Sequence, residues 1–391
     1  MPYNTTRAMK WGVPVAALTV VGAAVAAGPV IAAVQGDPTL PERTAAQLLA
    51  EVARNAQRAG PPVMSGTVVA TTSLGLPSLP LPGGTSSSPM ALLSGSHTVK
   101  VWYGGDDRLR LALPGSMSET DLISDGKGQA WLWRSDANTA TRFTLPKSKD
   151  GHRTPPPSSL APGLTPDAMA AQVLKAAESS GTAVSVDKSQ QVAGRPSYQL
   201  VLTPKQPASL IKEVRLALDG EKFIPLRVQV YAKGTTEPAI EVGFTQVTFT
   251  APAPENFAFT PPAGAKVEHK AFDAESAPPG LWGGDHGKPG ASPASADKLR
   301  TFGSGWATVA EIPFSGTGPA TPPAGGDRRP GEADPSKVLD TLLKSGKPVS
   351  GPWGSGRVIQ TKLISVLITD DGRLLAGAVT PQALTEAAGR G

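Results

Sequence analysis

The chain has 391 residues, including 43 Gly and 40 Pro, enough for two domains joined by turn-rich connections. It contains no Cys, which excludes disulfides, thiolate chemistry, a Cys-ligated metal and lipid attachment through a cysteine. Its net charge of +5 comes from scattered Lys and Arg, with no basic run and no aromatic-interleaved basic stripe, so no nucleic-acid partner is expected.

Residues 13–33 are apolar throughout and follow Arg7 and Lys10. As a helix they would span roughly 30 Å, about one hydrocarbon core. Positive charge ahead of the segment places the N-terminus inside and the rest outside. Two readings stand for residues 1–36: an uncleaved signal anchor, or a signal peptide. Either puts the bulk of the chain on the extracytoplasmic face of the cell membrane, or secretes it if the segment is cleaved.

Residues 37–269 read as one β-rich domain. An amphipathic helix over 44–57 carries Leu48, Leu49, Val52 and Ala56 on one side. A strand over 65–73 leads into the Pro-rich stretch LGLPSLPLP, which cannot be a regular strand. That loop suits either a surface insertion or a flap over a hydrophobic opening. A meander follows, with Val99, Val101 and Tyr103, then Leu109, Leu111 and Leu113, then Trp131 and Trp133. Tryptophans at i and i+2 share a face, which suits stacking on a ligand or plain sheet-face packing. Thr165-Pro166 then caps a helix bearing Met169, Val173 and Leu174, ended by Gly181. Lying between two meanders, it must bury its apolar side against the sheet. It either fills the concavity permanently or covers a ligand-sized space.

The second meander runs from Arg195 to Val267. Tyr198, Leu200 and Leu202 share one parity, as do Val214, Leu216 and Leu218, and then Leu226, Val228 and Val230. A period of two with Asp219-Gly220 between the last two runs predicts a tight hairpin. Phe244 and Val247 sit on opposite parities, which predicts a bulge that curves the sheet.

The pattern SDGKGQAWLW, then the helix, then VAGRPSYQLVLTP, VRLALDGEKFIPLRVQVY and FAFTPPAGAKV resembles the LolA/LppX/RseB superfamily over about residues 44–269. The resemblance implies an exported, curved, incomplete antiparallel β-barrel with a helical lid over a hydrophobic cavity. It implies binding of lipid or a lipoprotein acyl chain, in a carrier role. On this reading the cavity is lined by Val99, Val101, Tyr103, Leu109, Leu111, Leu113, Trp131, Trp133, Leu200, Leu216, Leu218, Val228 and Val230. Met169, Val173 and Leu174 then belong to the lid helix.

Residues 270–298 are rich in Gly, Pro and Ala and read as a linker. Residues 299–391 read as a small α+β domain. It holds a strand over 299–313, a helix bearing Val338, Leu339, Leu342 and Leu343, and a long β run over 357–369. A turn at Asp370-Asp371-Gly372 and a last helix capped by Thr380-Pro381 complete it. The layout is similar to MucB/RseB regulators, which hold back proteolysis of an anti-sigma factor. It implies, as the alternative, an envelope-stress regulator with an anti-sigma factor or other membrane protein as partner. A structural module with a fully packed core is the third reading. The overall fold class is thus mainly β (α+β).

His97, His152, His269 and His286 are far apart, with no partner at metal-ligand spacing. No G-x-S-x-G, phosphate-cradling Gly loop or nucleophile–base pair is present. Asp106-Asp107 and Asp370-Asp371 fall in turns, where Asp bonds its own backbone. No enzyme activity, metal or cofactor is expected.

Overall fold

A computed structural model describes residues 40–57, 62–75, 94–144, 171, 174–175, 177–271, 300–313 and 345–390. The apolar segment 13–33, most of the Pro-rich loop, Met169, Val173, the linker and the helix bearing Val338 lie outside the described residues. Among the described residues no helix is long and apolar enough to cross a membrane.

Twelve strands form one curved, open sheet. They are β1 (Met64–Thr72), β2 (Gly95–Gly105), β3 (Arg108–Pro114), β4 (Glu119–Asp125), β5 (Gln129–Arg134) and β6 (Thr139–Thr144), then β7 (Thr182–Val192), β8 (Arg195–Pro204), β9 (Ile211–Asp219), β10 (Pro225–Ala232), β11 (Pro238–Thr248) and β12 (Lys266–Ala271). The spatial order is β12-β6-β5-β4-β3-β2-β1-β11-β10-β9-β8-β7. Two meanders are therefore joined edge to edge where β1 pairs antiparallel with β11. The barrel does not close, because β7 and β12 stand at opposite edges. β12 departs from the meander pattern and pairs parallel to β6, after residues 249–265 have crossed back over the sheet.

Irregular pairing bends the sheet. The slip at Phe244 is a bulge: Val68 pairs with Phe244 but Thr67 with Gln246. Further shifts lie between Asp187 and Gln190 in β7 and between Pro225 and Arg227 in β10. Each extra residue increases local twist and turns the strand.

The β9–β10 connection is longer than the tight turn predicted from Asp-Gly. Residues 220–224 form the loop, and Asp219 is the buried last residue of β9. Its Oδ1 accepts from the backbone N–H of Glu221 at 3.1 Å and of Lys222 at 2.6 Å. The side chain thus ties up the loop's own donors, which a two-residue turn would not present. The turn between β4 and β5 is short, with residues 126–128 joining the two strands. Gly126 has φ +72, and a Cβ there would run into the Asp106 carbonyl and the Arg108 side chain.

Helix α1 (Ala45–Gln57) lies on one face of β7–β9, called here the inner face. Leu48 is fully buried against Tyr198, Leu200 and Leu218. Thr44 and Gln47 cap it reciprocally: Thr44 N donates to Gln47 Oε1 at 2.8 Å, and Gln47 N to Thr44 Oγ1 at 3.3 Å.

Six further strands form a second sheet: β13 (Arg300–Phe302), β14 (Val309–Pro313), β15 (Lys347–Gly351), β16 (Gly354–Gln360), β17 (Ser365–Thr369) and β18 (Arg373–Gly377), in the order β13-β14-β18-β17-β16-β15. Helix α2 (Pro381–Ala388) packs Leu384, Ala387 and Ala388 against Val358, Leu367 and Leu375. Thr380 caps it, accepting from Ala383 N at 3.5 Å. The β run over 357–369 is not one strand. It breaks at 361–364, where Thr361 Oγ1 accepts from Leu363 N and Ile364 N at 3.3 and 2.9 Å and closes a turn.

Candidate functional site

Residues directly opposite each other in a sheet share a face, so the pairing register assigns each side chain. Leu200 faces Leu216, Leu216 faces Val228, and Val228 faces Val242. Val230 faces Ile240, and Leu218 faces Tyr198. Across the β1–β11 seam Val68 meets both Phe244 and Val99. Val101 then faces Leu111, Tyr103 faces Leu109, Leu111 faces Leu122 and Leu122 faces Leu132. The register therefore brings Val99, Val101, Tyr103, Leu109, Leu111, Leu113, Leu200, Leu216, Leu218, Val228 and Val230 onto the inner face.

Trp131 and Trp133 are not among them. They pair with Ile123 and Asp121 and share the outer face. There Phe259, from the segment that crosses back over the sheet, packs on both rings at centroid distances of 5.5 and 6.0 Å. Arg142 lies 5.7 Å over the Trp131 ring. Sheet-face packing is their role here, and the reason is parity: each is one residue from Leu132, so with Leu132 on the inner face both point to the outer one.

The inner face also carries Val68, Leu122, Leu132, Val214, Ile240, Val242 and Phe244, which sequence reasoning did not assign. Alternation within a strand shows which residues go together, but only pairing shows which strand faces share a side. Gly66 makes room for the Phe244 ring, since a Cβ there would come within 2.8 Å of it.

Burial along this face is uneven. Leu200 and Leu218 are 4% and 2% exposed beneath α1, and Leu113 is also buried. Val99, Val101, Tyr103, Leu109, Leu111, Leu216, Val228 and Val230 remain partly exposed. Val242 is 41% exposed. The helix covers only the β7–β9 end. From the middle of β10 across β1 to β5 the face is mostly aliphatic, and the element that reaches it among the described residues is the 361–364 turn, whose Leu363 packs with the cluster at Val214, Val230 and Ile240.

Two clefts accompany the sheet, and the predicted lining residues form an open face rather than either of them. One, of about 360 Å³, lies between α1 and the helix ahead of Gly181, lined by Ala45, Ala46, Leu174, Ala183 and Val184. The other, of about 370 Å³, is on the outer side, with Ser65, Thr67, Lys100, Trp102 and Gln246.

The charged residues are placed for structure. Arg195 pairs with buried Asp219, and its NH2 also reaches Glu221 at 3.3 Å. Burial alone would raise the Asp219 carboxyl, but Arg195 and the Lys222 and Glu221 amides outweigh it and hold the group below its ordinary value. Asp121 behaves in the opposite way. Burial pushes its carboxyl up to about 6 although Arg110 donates to it. Asp121 Oδ1 has no hydrogen-bond partner among the described residues, so half of the carboxylate is buried without a donor. A raised folded pKa means that Asp121 favours folding below the ordinary carboxylate value of about 3.9, and that this contribution is lost as pH rises through about 6. The Asp121→Asn variant is therefore expected to gain on wild type in thermal stability between pH 4 and pH 7, by on the order of 1 kcal/mol. Melting curves across that range check it; parallel curves would contradict the assignment.

No group of three or more His, Asp or Glu among the described residues is placed to hold a metal ion.

No protein-family model matches the sequence, and no curated protein does. Among solved structures, the MucA/MucB complex of Pseudomonas aeruginosa aligns over 88% of this chain and 96% of that chain, at 16% identity and TM-score 0.41. A LolA superfamily protein from Nitrosomonas europaea aligns over 56% of this chain and 99% of that chain, at 11% identity and TM-score 0.21. LprF from Mycobacterium bovis does so over 56% and 99%, at 12% identity and TM-score 0.27. At these identities and scores the likeness concerns general form and carries nothing about activity, ligand or partner.

Proposed function

We propose that the protein binds an acyl chain, of a lipid or a lipoprotein, along the inner face of its large sheet, without catalysing a reaction. The observation that supports this is the aliphatic surface from β10 to β5, which stays partly exposed beyond the reach of α1. Contiguous apolar surface of this kind is costly in water and marks a binding site more often than a free face. An acyl chain suits it because the lining is mostly aliphatic and the inner-face rows Val214–Val230–Ile240 and Leu216–Val228–Val242 carry no charged group. Residues 13–33, with Arg7 and Lys10 before them, support a place outside the membrane and close to it.

Titration of the purified protein with a fluorescent fatty acid tests the proposal. Saturable binding is expected. Val228 pairs with Leu216 and Val242 in the middle of the face, so Val228→Phe occupies ligand space without adding charge. It is expected to weaken probe binding at least ten-fold while changing the melting temperature little. If Val228 is ordinary core, the order reverses, because overpacking costs about 1–3 kcal/mol of stability. A wild-type protein that binds no probe leaves the face to a protein partner and ends the lipid reading.

A further inference from the structure

We infer that the second sheet sets the length of acyl chain that the inner face accepts, with Leu363 as the end wall. This rests on the acyl-chain reading above. Leu363 belongs to the 361–364 turn between β16 and β17, yet it is 5% exposed because it is buried in the large sheet. It packs with Ile211, Ala232 and Ala239, and Val214, Val230 and Ile240 pack against the same cluster. Val214, Val230 and Ile240 stand opposite one another across β9, β10 and β11, on the inner face. The next row along those strands is Leu216, Val228 and Val242, the centre of the proposed site. Leu363 therefore meets the inner face at the row where the strands end.

Backbone and side-chain hydrogen bonds hold the wall and the second sheet against the first. Lys362 N donates to Leu74 O at 2.8 Å, and Lys362 Nζ to Ser73 Oγ at 2.9 Å. Leu210 N donates to Ala378 O, and Thr380 N to Ala208 O, each at 2.8 Å. Trp306 Nε1 donates to Thr182 Oγ1 at 2.7 Å. An apolar chain lying along the face toward this end meets a packed leucine whose turn is pinned to the end of β1, while the segment after β18 is bonded to Leu210 at the start of β9. It does not meet open water. Chains short of the wall gain by each methylene buried. A longer chain must bend out into solvent or lift the turn.

Binding of a saturated fatty-acid series to the purified protein tests this, with chain length as the variable. Affinity is expected to rise about four-fold per methylene and then to stop rising at a definite length. In Leu363→Ala, which removes the bulk of the wall, that limit moves up by roughly two carbons. In Leu363→Phe it moves down. Hydrogen exchange at the Lys362 amide adds a readout that a merely structural leucine would not move: only chains beyond the limit should speed it. If the Ala variant does not fold, the Phe variant and the wild-type exchange experiment still decide. Identical length limits in wild type and both variants, with unchanged exchange, overturn the wall while leaving acyl binding intact. Absence of saturable binding to wild type removes both.

Discussion

Asp219→Ala is expected to lower the free energy of unfolding by about 3–5 kcal/mol, the range for breaking a buried ion pair from one side. The carboxylate is fully buried, and four donors converge on it. Arg195 donates through Nε to Oδ2 and through NH2 to Oδ1 at 3.1 Å, and the Glu221 and Lys222 amides donate to Oδ1. Removing it leaves the loop amides and a guanidinium without their acceptor. The Arg195 side chain is 27% exposed and lies 4.7 Å over the Phe249 ring, so part of its charge recovers hydration. That places the value toward the lower end of the range. Because the Asp219 pKa is depressed in the folded state, its contribution is present above the unfolded carboxylate value and lost as pH falls through the folded one. Urea unfolding at pH 7 measures the loss, and a change under about 1 kcal/mol would falsify the assignment. The difference between wild type and variant should shrink on acidification.

Leu48→Ala is expected to cost about 2–5 kcal/mol. Leu48 is the fully buried residue by which α1 sits among Tyr198, Leu200 and Leu218. Other ties are weaker. Asn55 Nδ2 donates to Lys222 O at 2.5 Å, and Tyr198 Oη donates to Pro41 O at 3.0 Å just ahead of the helix. Loosening the helix also uncovers Leu200 and Leu218, so the inner face grows toward β7. The variant should therefore lose stability and bind more fluorescent fatty acid per protein molecule at saturation. A stable variant with unchanged stoichiometry would mean that α1 is not held by this contact.

Several parts of this architecture were legible in the residues. Alternation in Tyr198–Leu202, Val214–Leu218 and Leu226–Val230 specifies strands because side chains at i and i+2 must share a face. The parity slip between Phe244 and Val247 marks the bulge against Thr67 and Val68. Thr380-Pro381 marks the start of α2 through a capping hydroxyl and a proline that needs no N–H. The aliphatic lining residues could be grouped strand by strand for the same reason.

What the tertiary structure decided is everything that depends on which strands meet. Trp131 and Trp133 alternate as well as any lining residue, but the β4–β5 register turns them to the outer face under Phe259. β7 is not assigned from its residues, and its pairing with β8 makes it an edge of the sheet. β12 lies parallel to β6, more than a hundred residues away, through backbone bonds that no local pattern encodes. The long β run over 357–369 hides a turn, because Thr361 can close it and Leu363 can find burial in the other sheet. Local periodicity follows from backbone geometry and is written in the sequence. Register, facing and docking follow from contacts between distant segments, whose energies are set only when the whole sheet forms.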